Sequence, residues 1–352
     1  MNAEELHEHV RAGGLLAGER PVVAMLSGGR DSVCLLDVAV ALCGAGRVRA
    51  LHVNYGLRAA SDEDERHCRE LCERLGVAVE VVRAERAPGA AGNMHAWARE
   101  LRYRAALDLA RRLEGLPASD PSPSAAGESA LEALAQDALG ARAGTAVATG
   151  HTASDQVETI LYRLAASPGR RALLGMSVRE GRLVRPFLGL PRSATGDYCR
   201  ERHLAWREDE SNSSERYARA RVRHGLLVAL DAVHPAAQAN VLRTAELLRE
   251  ESSLLDALVR EELEGSESIS IERLRELHPA LARLVVIHLA ERAAGTNVAQ
   301  AGERVAEILA LGAFSRGQAR GGRAELHVGG LVAAVVERGE LRMIAIQPRE
   351  QH

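Results

Sequence analysis

Apolar residues fall in short blocks through the first half of the chain and at helical spacing through the second. The runs 21–26 (PVVAML), 47–54 (RVRALHVN), 77–84 (VAVEVVRA) and 144–150 (GTAVATG) read as strands. Between them, 31–42, 61–75, 93–113 and 153–165 carry helical patterns. Ser61, with Asp62, Glu63 and Asp64 behind it, suits an N-cap and the positive end of a helix. Strands alternating with helices at this spacing predict βαβ units and a parallel, doubly wound α/β sheet of Rossmann-like type. The stretch 115–128 (GLPASDPSPSAAGE) is rich in Pro, Ser and Ala and reads as a flexible surface insertion within 115–143.

After about residue 230 the pattern changes. Segments 236–263, 271–293 and 298–311 are amphipathic helices with no strand between them, which predicts an all-helical domain over 231–315. The tail 324–346 alternates and has Gly-rich turns, so a small terminal β-hairpin element is expected in 316–352. Residues 1–230 then form the α/β domain.

Composition narrows the chemistry. At 352 residues the chain is long enough for two or three cores, and with 46% hydrophobic but only 3% aromatic residues those cores are aliphatic. No apolar run reaches the ~18–20 residues needed to span a bilayer, and the polar start MNAEELHEHV does not read as a signal peptide. A cytoplasmic protein without membrane contact is the expectation. Five cysteines without a C-x-x-C pair suggest buried thiols in a reducing compartment. All 45 basic residues are arginine. A Walker A loop, a Schiff-base lysine and a kinase β3 lysine are therefore excluded. Nucleotide chemistry here must run on amides, hydroxyls, arginine and metal. The net charge of −3 means that a nucleic acid would meet a local arginine face, not an attractive whole-molecule field.

The sharpest local signal is Ser27-Gly28-Gly29-Arg30-Asp31-Ser32, between a predicted strand and a predicted helix. The glycines allow close backbone approach, and the turn offers amides and a positive helix end to an anion. Ser27 and Ser32 add hydroxyls, and Asp31 suits a Mg²⁺ ion bridging phosphates. Asp155 and Glu158, three apart at a helix start, share one face and suit a metal or an amine, or simply the helix dipole. Arg102 and Arg185 suit a phosphate clamp or a solvated ion pair. Arg219, Arg221 and Arg223, like Arg170, Arg171, Arg316, Arg320 and Arg323, suit RNA phosphates or an ordinary solvated face.

The loop resembles the S-G-G-x-D-S signature of the PP-loop ATP pyrophosphatase superfamily. Further blocks resemble the tRNA(Ile)-lysidine synthetase family. They are His52-Val53-Asn54-Tyr55-Gly56-Leu57-Arg58 with Ser61-Asp62-Glu63-Asp64, and Ala98-Arg99-Glu100-Leu101-Arg102-Tyr103. His151 to Thr159, Arg185-Pro186-Phe187-Leu188, Trp206 with Asp209 to Asn212, and Tyr217 to Arg223 complete the series. Tyr55, Ser154 and Ala220 stand where that family usually has histidine, aspartate and asparagine, and 165–173 follows its glycine-rich loop only loosely.

The resemblance implies a ligase that adenylates the wobble cytidine of a tRNA(Ile) with a CAU anticodon and joins free L-lysine to C2. ATP and Mg²⁺ would be its cofactors, and a homodimer is possible. It implies ATP contacts from Ser27, Gly28, Gly29, Arg30, Asp31, Ser32, His52, Val53 and Asn54. Asp31, Arg102, Asp155, Glu158 and Arg185 would be catalytic, with Asp31 and Asp155 holding metal. Arg58, His151, Arg219, Arg221 and Arg223 would meet the substrate. A 2-thiolating PP-loop enzyme and a nucleotide-binding module without turnover are the competing readings.

Overall fold

The computed structural model describes all residues except 17, 57–59, 85–93, 118–129, 137–143, 167–168, 208–217, 317–321 and 347–352. Contacts divide the chain into two units, Met1–Glu246 and Leu247–His352.

The first unit is a six-stranded sheet in the order β3-β2-β1-β4-β6-β5. Its strands are β1 (Val22–Met25), β2 (Val48–Asn54), β3 (Ala78–Arg83), β4 (Ala146–Ala148), β5 (Arg179–Glu180) and β6 (Leu183–Val184). Pairing is parallel except at the β5–β6 edge. The helices α1 (Ala3–Ala12), α2 (Arg30–Cys43), α3 (Ser61–Leu75), α4 (Met94–Leu113), α5 (Ala130–Gln136) and α6 (Ala153–Ala166) follow in chain order. After α7 (Arg170–Leu173) and α8 (Arg192–Glu201), α9 (Ala218–Arg221) runs through a π-helical turn, Val222–Leu226, into α10 (Leu227–Val233).

Two apolar layers sandwich the sheet. On one side Val22, Ala24, Val48 and Ala50 pack with α2, α3 and α8; on the other Val23, Leu51 and Val147 pack with α4 and α5. Burial on both faces explains why these strands read as continuous apolar runs. Inside the expected insertion, α5 seats Ala130 and Leu134 in the second layer, so part of 115–143 is core and not loose surface. The rest of the Pro/Ser stretch, 118–129, lies outside the described residues. At the rear of α2 the buried Asp37 accepts from Tyr198 Oη at 2.6 Å and Arg202 Nε at 3.1 Å, which ties this helix to α8.

The division of the chain falls within α11 (Ala237–Leu263), later than the expected boundary at 230. The second unit contains β7 (Ser268–Ser270), α12 (Ile271–Glu276), α13 (Pro279–Ala294) and α14 (Val305–Arg316). The expected helix 271–293 is interrupted at Leu277–His278. Pro279 lacks an N–H and forces the residue before it out of the helical region, and His278 sits at ψ 136°. The tail is three strands and not a hairpin: β8 (Ala324–Gly329), β9 (Val332–Glu337) and β10 (Glu340–Ala345), with β7 completing the order β7-β10-β9-β8. The tail is also no separate element, because Val332, Val336 and Leu341 share one core with Ile271, Val285 and Leu289. Among the described residues no helix is long and apolar enough to cross a membrane.

Candidate functional site

Beyond Met25, β1 continues one residue, with the Leu26 amide donating to the Leu51 carbonyl at 2.8 Å. The chain then turns through Gly28 at φ +86°, a conformation that glycine alone adopts readily. A Cβ there would also lie 3.3 Å from the Cys68 sulfur. Gly29 caps α2 with extended backbone, and its carbonyl accepts from the amides of Ser32 and Val33, each at 3.0 Å. The Ser32 hydroxyl donates to the same carbonyl at 2.8 Å and accepts from the Ser27 amide at 3.1 Å. The Arg30 and Asp31 amides, in the first turn, take no carbonyl of their own helix. From outside, the Arg207 amide holds the Gly28 carbonyl at 3.0 Å, and its guanidinium is fixed on Asp64 and Glu63 at 2.6 and 2.9 Å.

Gly150 closes the opposite wall. A Cβ at that position would stand 2.7 Å from the Asp31 carbonyl oxygen. Thr149 Oγ1 and His151 Nδ1 are 2.7 Å apart, and α6 begins just beyond. The resulting cleft, about 220 Å³, opens at the carboxyl ends of β1, β2 and β4. That is where parallel α/β sheets receive ligands. One half is apolar, with Met25, Leu51, Val53, Tyr55 and Tyr103; the other is polar, with Ser27, Asp31, Ser32, Arg102, His151 and Asp155.

Charge in the polar half is partly committed. Asp31 Oδ1 accepts from Thr195 Oγ1 at 2.5 Å, and the Arg192 and Arg30 guanidinium nitrogens lie 3.4 and 3.6 Å from its carboxylate. Asp155 Oδ2 accepts from the Thr152 amide and hydroxyl at 2.8 and 3.0 Å, capping α6, while its other oxygen is 3.6 Å from Arg223. Burial lowers the His151 pKa; Arg185, Arg102 and Arg99 reinforce this and Asp155 opposes it, so the imidazole is neutral.

Of the residues expected at the site, Ser27, Asp31, Ser32, Val53, Arg102, His151 and Asp155 line the cleft, with Gly28 and Gly29 as its loop backbone. The others are placed differently. Arg223 is engaged within the protein, its Nε and Nη2 holding the two oxygens of the buried Glu158 at 2.6 and 3.0 Å. That same pairing withdraws Glu158 from a metal or an incoming amine. Arg185, 3% exposed, donates to the Ser177 carbonyl at 2.6 Å and to Glu180 at 3.0 Å, so it braces the β5–β6 edge instead of clamping from the cleft wall.

Alternation along β2 turns His52 and Asn54 away from the face that carries Leu51 and Val53. His52 Nδ1 donates to the Leu26 carbonyl at 2.9 Å. Asn54 accepts from the Gly56 amide and donates to Asp62 and Glu65. The Arg30 side chain lies against Gly196. Arg221 is exposed on α9 and already has a partner. Arg58, Arg320, the 209–212 block and the side chains of Arg219 and Arg316 lie outside the described residues.

Thr195, Arg192, Arg207 and Gly150 escaped the sequence reading. The first three come from segments more than 140 residues away from their partners. Gly150 carried a signal in hindsight, as a glycine at a strand end immediately before a histidine motif.

A sequence from Solibacter usitatus named tRNA(Ile)-lysidine synthase is 34% identical over 292 residues, covering 80% of this chain and 59% of that protein. One of the same name from Geobacter sulfurreducens is 36% identical over 276 residues, covering 73% and 52%. The chain thus spans about half the length of the curated relatives it matches. The U34-tRNA thiolase NcsA from Methanococcus maripaludis, solved with its 4Fe–4S cluster, superposes with a TM-score of 0.51 at 17% identity, over 70% of this chain and 78% of that one, a likeness of fold. The profile of the PP-loop domain matches residues 2–115 and 125–230, more than half the chain and all of the cleft. The chain belongs to the PP-loop domain family.

Proposed function

We propose that this chain carries the catalytic part of a lysidine-forming ligase. It would use ATP to adenylate the C2 oxygen of the wobble cytidine in a tRNA(Ile) with a CAU anticodon, after which the ε-amine of free lysine attacks C2 and AMP leaves. The observation that carries the reading is the cleft in which the 27–32 loop, Arg102, His151 and Asp155 converge, in a chain whose relatives are named for that modification.

The chemistry follows from the two halves of the cleft. The apolar half suits a purine ring. The amides of Arg30 and Asp31 and the hydroxyl of Ser27 would meet the triphosphate, the Ser32 hydroxyl holds the loop through the Gly29 carbonyl, and Arg102, which has no ion pair among the described residues, would balance charge as pyrophosphate departs. Asp31 and Asp155 both line this space, and their carboxylates are the groups that would hold a Mg²⁺ shared with phosphate oxygens and water. Such an ion would neutralise the leaving group. His151, uncharged, leaves the lysine ammonium unrepelled and accepts a hydrogen bond from it, while Asp155 attracts it. Thiolation finds no comparable support. All five cysteines are buried thiols, and burial raises Cys68 to about 12 and Cys72 to about 11, so the nucleophilic thiolate is scarce.

The test is mass analysis of tRNA(Ile) nucleosides after incubation with the protein, ATP and lysine. The expected product is cytidine carrying one lysine, with its yield reduced at least about a hundred-fold in Asp31→Ala. ATP turnover that leaves the tRNA mass unchanged, or adds sulfur to it, overturns the proposal.

A further inference from the structure

The chain has only two Trp, five Tyr and two Phe, yet three of these side chains gather at one place. Tyr55 and Tyr103 line the cleft, and the half-buried Trp97 meets Tyr55 edge to face, with ring centroids 6.1 Å apart at 63°. Tyr55 is not free to swing, because its hydroxyl donates to the Ala98 carbonyl at 3.1 Å and pins the ring to α4. Two cations lie against Tyr103. The guanidinium carbons of Arg99 and Arg102 lie 5.3 and 5.5 Å from the centre of the Tyr103 ring. In the same cleft, Met25, Leu51 and Val53 already supply apolar surface for the purine of a nucleotide. Trp97, which packs on the cleft residue Tyr55 without lining the cleft itself, adds aromatic surface beyond what a mononucleotide needs.

Rigid aromatic rings beside arginines are what single-stranded nucleic acid requires: a flat apolar face for a base and positive charge for its phosphate. A base inside a stack also cannot reach a buried cleft until it is splayed out, and something must then receive it. Resting on the tRNA-modifying reading above, we propose that Trp97, packed on Tyr55 and carried on the same helix as Arg99 and Arg102, is the platform on which an unpaired nucleobase of the RNA substrate stacks beside the cleft.

The experiment titrates the full chain with a hairpin RNA whose unpaired loop carries CAU, and with the same sequence fully paired. Anisotropy of labelled RNA gives the affinity, and tryptophan fluorescence in a Trp206→Phe background isolates Trp97. The hairpin is expected to quench Trp97 and the duplex to leave it unchanged. Trp97→Ala should weaken hairpin binding roughly ten-fold or more, Trp97→Phe should retain most of it, and ATP affinity should be the same in all three proteins. Hairpin binding that survives Trp97→Ala, or a loss of ATP affinity in its place, overturns the platform alone. Failure of the unsubstituted chain to bind the hairpin overturns the platform and the function together.

Discussion

Gly150 has room for a hydrogen atom and nothing larger. A methyl group there would press on the carbonyl oxygen and carbon of Asp31 at 2.7 and 2.9 Å, both backbone atoms that cannot rotate aside. Gly150→Ala is therefore expected to displace the first turn of α2, weaken ATP binding and cost about 1–3 kcal/mol, read from thermal unfolding with and without ATP. At Glu158 the issue is charge. Arg223→Met strands a carboxylate that is almost fully buried, an expected loss of about 3 kcal/mol, much of it regained in the Glu158→Gln/Arg223→Met double variant. Denaturant titration of the single and double variants measures that coupling, and equal losses in both would refute it. Residue type told which side chains are able to do chemistry here. It did not tell which of them the fold spends on each other: Arg223 and Glu158 are 65 positions apart, and nothing local marks them as a pair.

The end of β2 and the start of α3 are held together largely by Asn54, which accepts from the Gly56 amide and donates to both Asp62 and Glu65. Asn54→Ala should lower the melting temperature, costing about 1–3 kcal/mol through the unsatisfied buried groups it leaves, while the cleft residues on the opposite face keep their places. Differential scanning calorimetry checks the loss. The long elements of the α/β unit were legible to within a residue or two because their periodicity is strong: α3 is 61–75 as read, and α6 extends the expected 153–165 by one. Elements too short to show a period were not. β5 and β6 have two residues each, and β7 has three and owes its existence to pairing with β10. The break before Pro279 was legible in principle, since proline there ends one helix and begins the next.

At the scale of the whole chain, acid is expected to act in two steps. Burial holds the His52, His67 and His151 imidazoles below their ordinary value of 6.5. The unfolded chain therefore binds protons that the native one refuses, and stability falls as pH drops below about 6.5. Glu65 adds a second window. Hydrogen bonds from Arg83, then Asn54, and also from Arg69, hold its carboxyl at about 2 against an ordinary 4.5. Its contribution is complete above 4.5 and is lost as pH falls from there toward 2. Thermal unfolding across a pH series should show both declines, and Glu65→Gln should reduce the lower one; a melting temperature that is flat from pH 7 to 3 would contradict this. From sequence alone came the doubly wound α/β unit, the helical character after residue 230 and the anion-binding loop, because glycine turns and apolar periodicity act through near neighbours in the chain. Only tertiary structure decided that the tail strands share the core of the helices, that Thr195 and Arg192 hold Asp31, and that Arg223 closes over Glu158. Those outcomes depend on distances between residues far apart in sequence, and the order of residues by itself contains no such distances.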